Sequence, residues 1–189
     1  MFGNKLSSLS IITASLILLY SPFTHAGKTQ HRQHGSHEHG SAQLNIAIEG
    51  QRLYLELSSP AANIVGFEHK PHNDKQRQTL KKAIKILNQT SLLFTPSASA
   101  QCKSNKIEVD VDTLQDEHDK KDSHHHHSGH ADFSAHYVFV CQKPSKLTTL
   151  QLLLFKPFPG IEKLQVQLLT ETGQSAITAT AQKATIKLK

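Results

Sequence analysis

The sequence is poor in residues on which several classes of protein depend. Its one methionine is the initiator Met1, and it has two cysteines, Cys102 and Cys141. A chain without internal methionine has no thioether ligands, which disfavours a Cu(I) site of that kind. The H-E-x-x-H motif of many zinc hydrolases is absent. Lysines and arginines form no stripe with interleaved aromatic residues, so we expect no nucleic-acid surface.

Long apolar runs are also scarce, and the one that is present lies at the N-terminus. Lys5 supplies a positive charge, residues 9–20 are mostly apolar, and residues 24–26 end in alanine. This pattern is typical of a secretory signal peptide, so we expect residues 1–26 to be removed by cleavage after Ala26. A retained anchor is the weaker interpretation, because a membrane-spanning helix needs roughly 20 apolar residues. We therefore expect an exported protein without stable membrane insertion.

The two cysteines are expected to form a disulfide, because a cysteine pair in an exported protein is usually oxidised. A bond between Cys102 and Cys141 would close a loop of about 39 residues, for which chain entropy predicts a stabilisation of roughly 3–4 kcal/mol. Metal-bound thiolates are the alternative, although the two residues are not in a C-x-x-C arrangement.

Between the cysteines lies the most distinctive stretch, residues 116–131, which holds six of the fourteen histidines. No packed core requires that many imidazoles in so short a stretch, whereas imidazole is a good ligand for zinc, copper and nickel. We interpret residues 112–131 as a metal-collecting loop rich in His and Asp, at the tip of a hairpin whose far end the disulfide closes. A disordered spacer is the alternative. The candidate ligands in this loop are His118, His124, His125, His126, His127 and His130.

Two shorter segments supply further candidate ligands. Residues 27–40 are polar and rich in histidine, and we expect them to form a flexible arm. Within this arm His37 and His39 alternate, so an extended backbone places both rings on one side. Residues 61–65 are expected to form one turn of helix, followed by a bend that Gly66 permits. In this bend Glu68 and His69 are candidates, although a hydrogen-bonded loop histidine is an equally ordinary interpretation.

Two other histidines lie close to these segments or to the His-rich loop. His72 follows the same bend, and we expect it to be an ordinary loop residue. His136 lies on the strand after the His-rich loop, and we expect either His136 or one histidine of that loop to close the coordination of an ordered site.

Elsewhere, apolar and polar residues alternate and predict a chain made mainly of β-strands. Residues 42–49 and 53–57 flank a Gly50-Gln51 turn, which predicts a hairpin. An apolar stripe with helical spacing predicts one amphipathic helix from Asn73 or Asp74 to about residue 88. We predict a mainly β (α+β) fold over residues 41–189. It is an antiparallel β-sandwich or curved sheet of about nine strands, with one packed helix and the His-rich loop.

The formal net charge of +6 is unevenly distributed. Eight of the fifteen acidic residues lie between Glu108 and Asp132, so the remainder of the chain is basic. Much of this basic charge falls on the exposed side of the predicted helix. We interpret it as a solvated face, with a lipid or partner surface as the alternative.

Several of these residues together carry a family resemblance. They are residues 37–44 (HEHGSAQL), residues 59–69 (SPAANIVGFEH), Cys102 and the strand at 137–141. This combination resembles the ZrgA-type zinc-uptake accessory proteins of Gram-negative bacteria over nearly the whole mature chain. The resemblance implies a periplasmic zinc-binding protein, not an enzyme, that acts alongside a zinc ABC transporter or its substrate-binding protein. It also strengthens the assignment of Glu68 and His69.

Zinc is the expected metal, with nickel or Cu²⁺ behind it. The expected function is the capture or buffering of zinc through the His-rich segments in support of import. One alternative is a periplasmic buffer for excess copper or nickel. A less favoured alternative is a zinc-dependent hydrolase, which would need three protein ligands, an open metal position and a placed general base.

Overall fold

The computed structural model describes residues 38–111 and 131–189. The predicted signal peptide at 1–26, most of the predicted arm at 27–40 and nearly all of the predicted His-rich loop lie outside the described residues. The described chain belongs to one compact unit, Gly35–Lys189. Within the two described ranges, no helix is long and apolar enough to cross a membrane.

The described chain is built mainly from β-strands, as its alternating pattern predicts. The strands are β1 (Ser41–Glu49), β2 (Arg52–Pro60), β3 (Phe94–Pro96), β4 (Cys102–Asp110), β5 (Asp132–Cys141), β6 (Thr149–Leu152), β7 (Lys163–Thr170), β8 (Gly173–Ala179) and β9 (Thr185–Lys187). The α-helices are α1 (Ala61–Val65) and α2 (Asp74–Leu87). Short 3₁₀ turns occur at Thr90–Leu92, Ala98–Ala100 and Pro144–Lys146.

The strands form two sheets, which confirms the predicted mainly β class with one main helix. The larger sheet has the order β4-β5-β2-β1-β7-β8, and the smaller has the order β3-β6-β9. Every pair is antiparallel except β1 and β7, which run parallel in the larger sheet. The parallel pair was not predicted, because side chains alternate with a period of two in both kinds of strand.

One face of the six-stranded sheet packs into the core, and the other carries polar residues. Tyr137 of β5 shows how the core is closed. Its ring lies edge-on to Phe94, with centroids 5.2 Å apart, and its hydroxyl donates a hydrogen bond of 3.0 Å to the Leu87 carbonyl at the end of α2. Burial raises the pKa of Tyr137. The helix and both sheets therefore meet at this residue.

Both helices have the terminal residues that the sequence predicts. The Asn73 side chain caps α2 by accepting a hydrogen bond of 2.9 Å from the Gln76 amide. Helix α1 ends at Gly66, whose φ of 84° is the left-handed conformation that glycine adopts without strain. The chain then bends, and Phe67 packs against the edge of the core.

The six-stranded sheet has two contrasting ends. At the disulfide end, Cys102 and Cys141 are directly opposite in the β4–β5 register and form the predicted disulfide. At the opposite end, which we call the loop end, β1 and β5 begin and β2 and β4 finish. The predicted hairpin with a disulfide at its base is thereby confirmed up to Val111 and from Ala131 onward.

Candidate metal centre

The loop end of the sheet gathers most of the described candidate ligands. His39 lies just before β1, and Glu68 and His69 lie just after α1, which continues directly from β2. Val111 and Ala131, which border the His-rich loop, lie at the same end. Segments that are far apart in sequence are therefore brought to one edge of the sheet.

A buried asparagine joins two of these segments. Asn63 of α1 is only 5% exposed. Its Oδ1 accepts a hydrogen bond of 2.8 Å from the Gly40 amide, and its Nδ2 donates one of 2.8 Å to the Ser41 carbonyl. Nδ2 also lies 3.4 Å from Ser59 Oγ. The backbone that follows His39 is thus anchored to α1 by one side chain.

The connection before β7 holds the same segment from another side. The amides of Glu162 and Lys163 donate to the Gly40 carbonyl at 2.8 and 2.9 Å. Gly160 packs so closely on α1 that a Cβ there would lie 2.5 Å from the Asn63 carbonyl oxygen. Glycine is needed at 160 because the obstructing atom belongs to the backbone. The position of His39 is therefore set by a network of ordered backbone.

His69 and His72 form a stacked pair on the bend after α1. Their ring centroids are 4.3 Å apart, and the Phe67 ring stacks on the other side of His69 at 5.3 Å. Nδ1 of His69 lies 2.9 Å from the Lys70 carbonyl oxygen. Because a carbonyl oxygen only accepts, this bond places the proton on Nδ1 and leaves the Nε2 lone pair available to a metal.

Two carboxylates accompany the imidazoles at this end. Glu68 is half-buried, and so is Asp132, which stands opposite Pro60 in the β2–β5 register. One oxygen of each carboxylate is buried from solvent. Carboxylate oxygen and imidazole nitrogen are both ordinary zinc donors. Glu68 was predicted as a candidate, whereas Asp132 was not.

His136 has different neighbours from the other candidate histidines. It lies four residues along β5 from Asp132, which corresponds to about 14 Å of extended strand. Its side chain is exposed on the solvent-facing side of the sheet, between Glu56 of β2 and Glu108 of β4. The structure therefore places His136 well along the sheet from the stacked pair.

The remaining predicted ligands lie outside the described residues. Within 38–111 and 131–189, no three His, Cys, Asp or Glu side chains are arranged as a ready-made metal site. The full ligand set at the loop end thus stays a prediction. The predicted ligands that fall outside the described ranges are His37, His118, His124, His125, His126, His127 and His130.

Two residues of the loop end make contacts that the sequence alone does not indicate. The atoms that Asn63 binds are more than twenty positions away in the chain. His72 was expected to be an ordinary loop residue, and its stacking on His69 depends on the three-dimensional course of the bend. Its spacing of three residues from His69 was the available signal.

The fold and this end of the sheet define a class of protein. It is a disulfide-bonded β-protein that presents exposed imidazoles beside carboxylates on an ordered edge. The chain belongs to the ZrgA family of zinc uptake proteins, whose sequence model matches residues 36–188. This match confirms the predicted family and supports a role in zinc uptake. No curated protein matches the chain significantly.

Proposed function

We propose that the protein captures zinc in the periplasm and holds it for import by a zinc ABC transporter or that transporter's substrate-binding protein. The observation that carries this proposal is the stacked His69–His72 pair on the bend after α1, the same helix whose Asn63 anchors the backbone that follows His39. Membership of a zinc uptake family supports zinc as the cargo.

The proposed tight site uses ordered ligands. His69 has its tautomer set by the Lys70 carbonyl, and His39 precedes an anchored backbone, so little ordering entropy remains to oppose metal binding. His37, Glu68 and Asp132 are the proposed neighbours. The histidines of the His-rich loop, His118 and those from His124 to His130, are proposed to bind further zinc ions.

Zinc binding at these sites should weaken in acid. An imidazole ligand must be deprotonated, so protons compete with the metal below the ordinary histidine pKa of about 6.5. Zinc titrations of the mature chain at pH 7.5 and pH 5.5 measure this competition. Equal affinity at both pH values would contradict ligation by imidazole.

Two variants test the assignment by calorimetry with zinc. The His69→Ala/His72→Ala variant should lose the most tightly bound zinc ion and keep those that are bound more weakly. Deletion of residues 118–130 should lower the number of zinc ions bound while the tightest one remains. Unchanged zinc binding by the double variant would contradict the proposed tight site. An unchanged number of bound zinc ions in the deletion variant would contradict zinc binding by the loop.

The proposal assigns the protein no catalytic step, and it assigns export to the signal peptide. A broad hydrolase screen of the zinc-loaded protein should give no turnover, and reproducible turnover would favour the hydrolase alternative.

N-terminal sequencing of the protein recovered from the periplasm should begin at Gly27 if cleavage follows Ala26. Induction by zinc starvation, rather than by excess copper or nickel, should accompany an uptake role.

A further inference from the structure

The solvent-facing side of the six-stranded sheet carries a row of three potential ligands away from the loop end. His136 of β5 is directly opposite Glu56 of β2 on one side and Glu108 of β4 on the other. His136 and Glu108 are exposed, and Glu56 is half-buried. Three adjacent strands therefore present carboxylate, imidazole and carboxylate in one line.

A β-bulge places Glu108 in this row. The β4–β5 register shifts between Ser104 and Lys106, so that Asn105 is an extra residue in β4. Without the shift, Glu108 would lie opposite Ala135, whose side chain points into the core. Because a shift of one residue moves a side chain to the other face of a sheet, the bulge turns Glu108 toward His136.

The spacing of the row suits a small cation. Residues directly opposite on neighbouring strands have Cβ atoms about 4.5–5.5 Å apart, and zinc takes nitrogen and oxygen donors at about 2.0–2.2 Å. After rotation of their side chains, two glutamates that flank a central histidine can bring two carboxylates and one ring nitrogen to a single point, an arrangement that they do not have at present. Such three-ligand arrangements leave a position for water.

Both glutamates of the row have partners at present. Glu108 forms an exposed ion pair of 2.7 Å with Lys106, and Glu56 accepts a bond of 3.3 Å from Asn45. Exposed ion pairs contribute little to stability, so rotation of the Glu108 carboxylate toward a cation costs little.

A shallow groove lies over part of the row. It has a volume of about 370 Å³ and a mainly apolar lining, to which Glu56, His136, Asn45, Gln167 and Gln174 also contribute. The groove has room for a cation that keeps some of its water, and its amide groups can hydrogen-bond to that water.

We propose that Glu56, His136 and Glu108 form a second divalent-cation site, separate from the loop end. It takes zinc through one imidazole nitrogen and two carboxylates, with water in the remaining position. It binds more weakly than the loop end, because both carboxylates must first leave their present partners. The proposal does not depend on the assignment of the tight site.

Zinc titration of the oxidised mature chain tests this site. His136→Ala and Glu56→Gln/Glu108→Gln should each weaken one of the lower-affinity zinc equivalents by roughly tenfold or more, a loss of about 1.4 kcal/mol or more. The matched control is Glu49→Gln/Glu171→Gln, which removes two exposed carboxylates outside the row and should leave every equivalent unchanged. Thermal unfolding verifies that each variant is folded.

A second measurement uses the unaltered chain. Long-range ¹H–¹⁵N spectra should show a coordination shift at one His136 ring nitrogen at zinc concentrations above those that saturate the tight site. The absence of that shift overturns the proposal. It is also overturned if Glu56→Gln/Glu108→Gln binds zinc as tightly as the unaltered chain does, or if Glu49→Gln/Glu171→Gln loses as much zinc affinity. Loss of the tight equivalent in His69→Ala/His72→Ala, with the His136 shift retained, would separate the two sites.

Discussion

The two ends of the six-stranded sheet are held by different kinds of interaction. At the disulfide end, a covalent bond joins Cys102 to Cys141 and fixes the β4–β5 register. At the loop end, Asn63 and the Gly40 carbonyl hold the segment after His39 by hydrogen bonds. The difference suggests a division of roles, in which the disulfide secures the fold and the hydrogen bonds position ligands. Removal of the disulfide should therefore lower stability alone, whereas substitutions at the loop end should lower zinc affinity as well.

The largest effect is expected from removal of the disulfide. Cys102→Ser/Cys141→Ser should lower the free energy of unfolding by about 2–5 kcal/mol, because the denatured chain regains the entropy of an open loop. Urea unfolding measures this loss. Tight zinc binding should persist wherever the variant is still folded. A folded variant that had lost tight binding would show that the two ends are not separable.

A smaller effect is expected from Gly160→Ala at the loop end. The added Cβ would lie 2.5 Å from a backbone oxygen of Asn63, and overpacking of this kind costs up to about 3 kcal/mol. Both stability and tight zinc affinity should fall, by urea unfolding and calorimetry respectively. The matched control is Gly173→Ala, where nothing lies within 4 Å of the added atom. Equal effects of the two substitutions would refute the importance of the close approach.

Asn63→Ala should cost about 1–3 kcal/mol, because it removes the side-chain acceptor of the Gly40 amide and the donor to the Ser41 carbonyl. Zinc affinity should fall too, although Asn63 is not proposed to touch the metal. Asn88→Ala is the control, since it removes one exposed hydrogen bond at the end of α2. Calorimetry that finds full zinc affinity in a folded Asn63→Ala would contradict a positioning role.

The smallest effect is expected midway between the ends. Tyr137→Phe removes one buried hydrogen bond to Leu87 and should cost about 0.5–1.5 kcal/mol without altering zinc binding. Because burial raises the pKa of Tyr137 above its ordinary value of 10.0, the native state holds this proton more tightly than the unfolded chain does. Its contribution is fully present below about pH 10 and is lost as the pH rises further. Urea unfolding at pH 8 and pH 11 checks both the size and the sign.

Structural features that depend on residues close together in the sequence were predictable. The Gly50-Gln51 hairpin, the Asn73 cap and the end of α1 at Gly66 each depend on residues a few positions apart. The disulfide followed from the number of cysteines and the expected export. These predictions are all confirmed, because turn, cap and pairing chemistry act over short distances or through a single possible partner.

Features that depend on register or on distant residues were not predictable. The parallel pairing of β1 with β7 has the same alternation as an antiparallel pair. The extra residue Asn105 decides which face Glu108 occupies, and no local pattern marks it. The role of Asn63 requires knowledge that Gly40 lies beside α1. The sequence therefore predicts candidate ligands, whereas their arrangement depends on strand register and on contacts between distant residues.

A crystal structure with zinc, measured with anomalous scattering at the zinc edge, tests the central claim most directly. The account predicts the strongest anomalous peak at the loop end, within bonding distance of His69 Nε2 and close to His39. Weaker peaks are expected elsewhere, including beside His136. A strongest peak remote from both His69 and His39 would contradict the account.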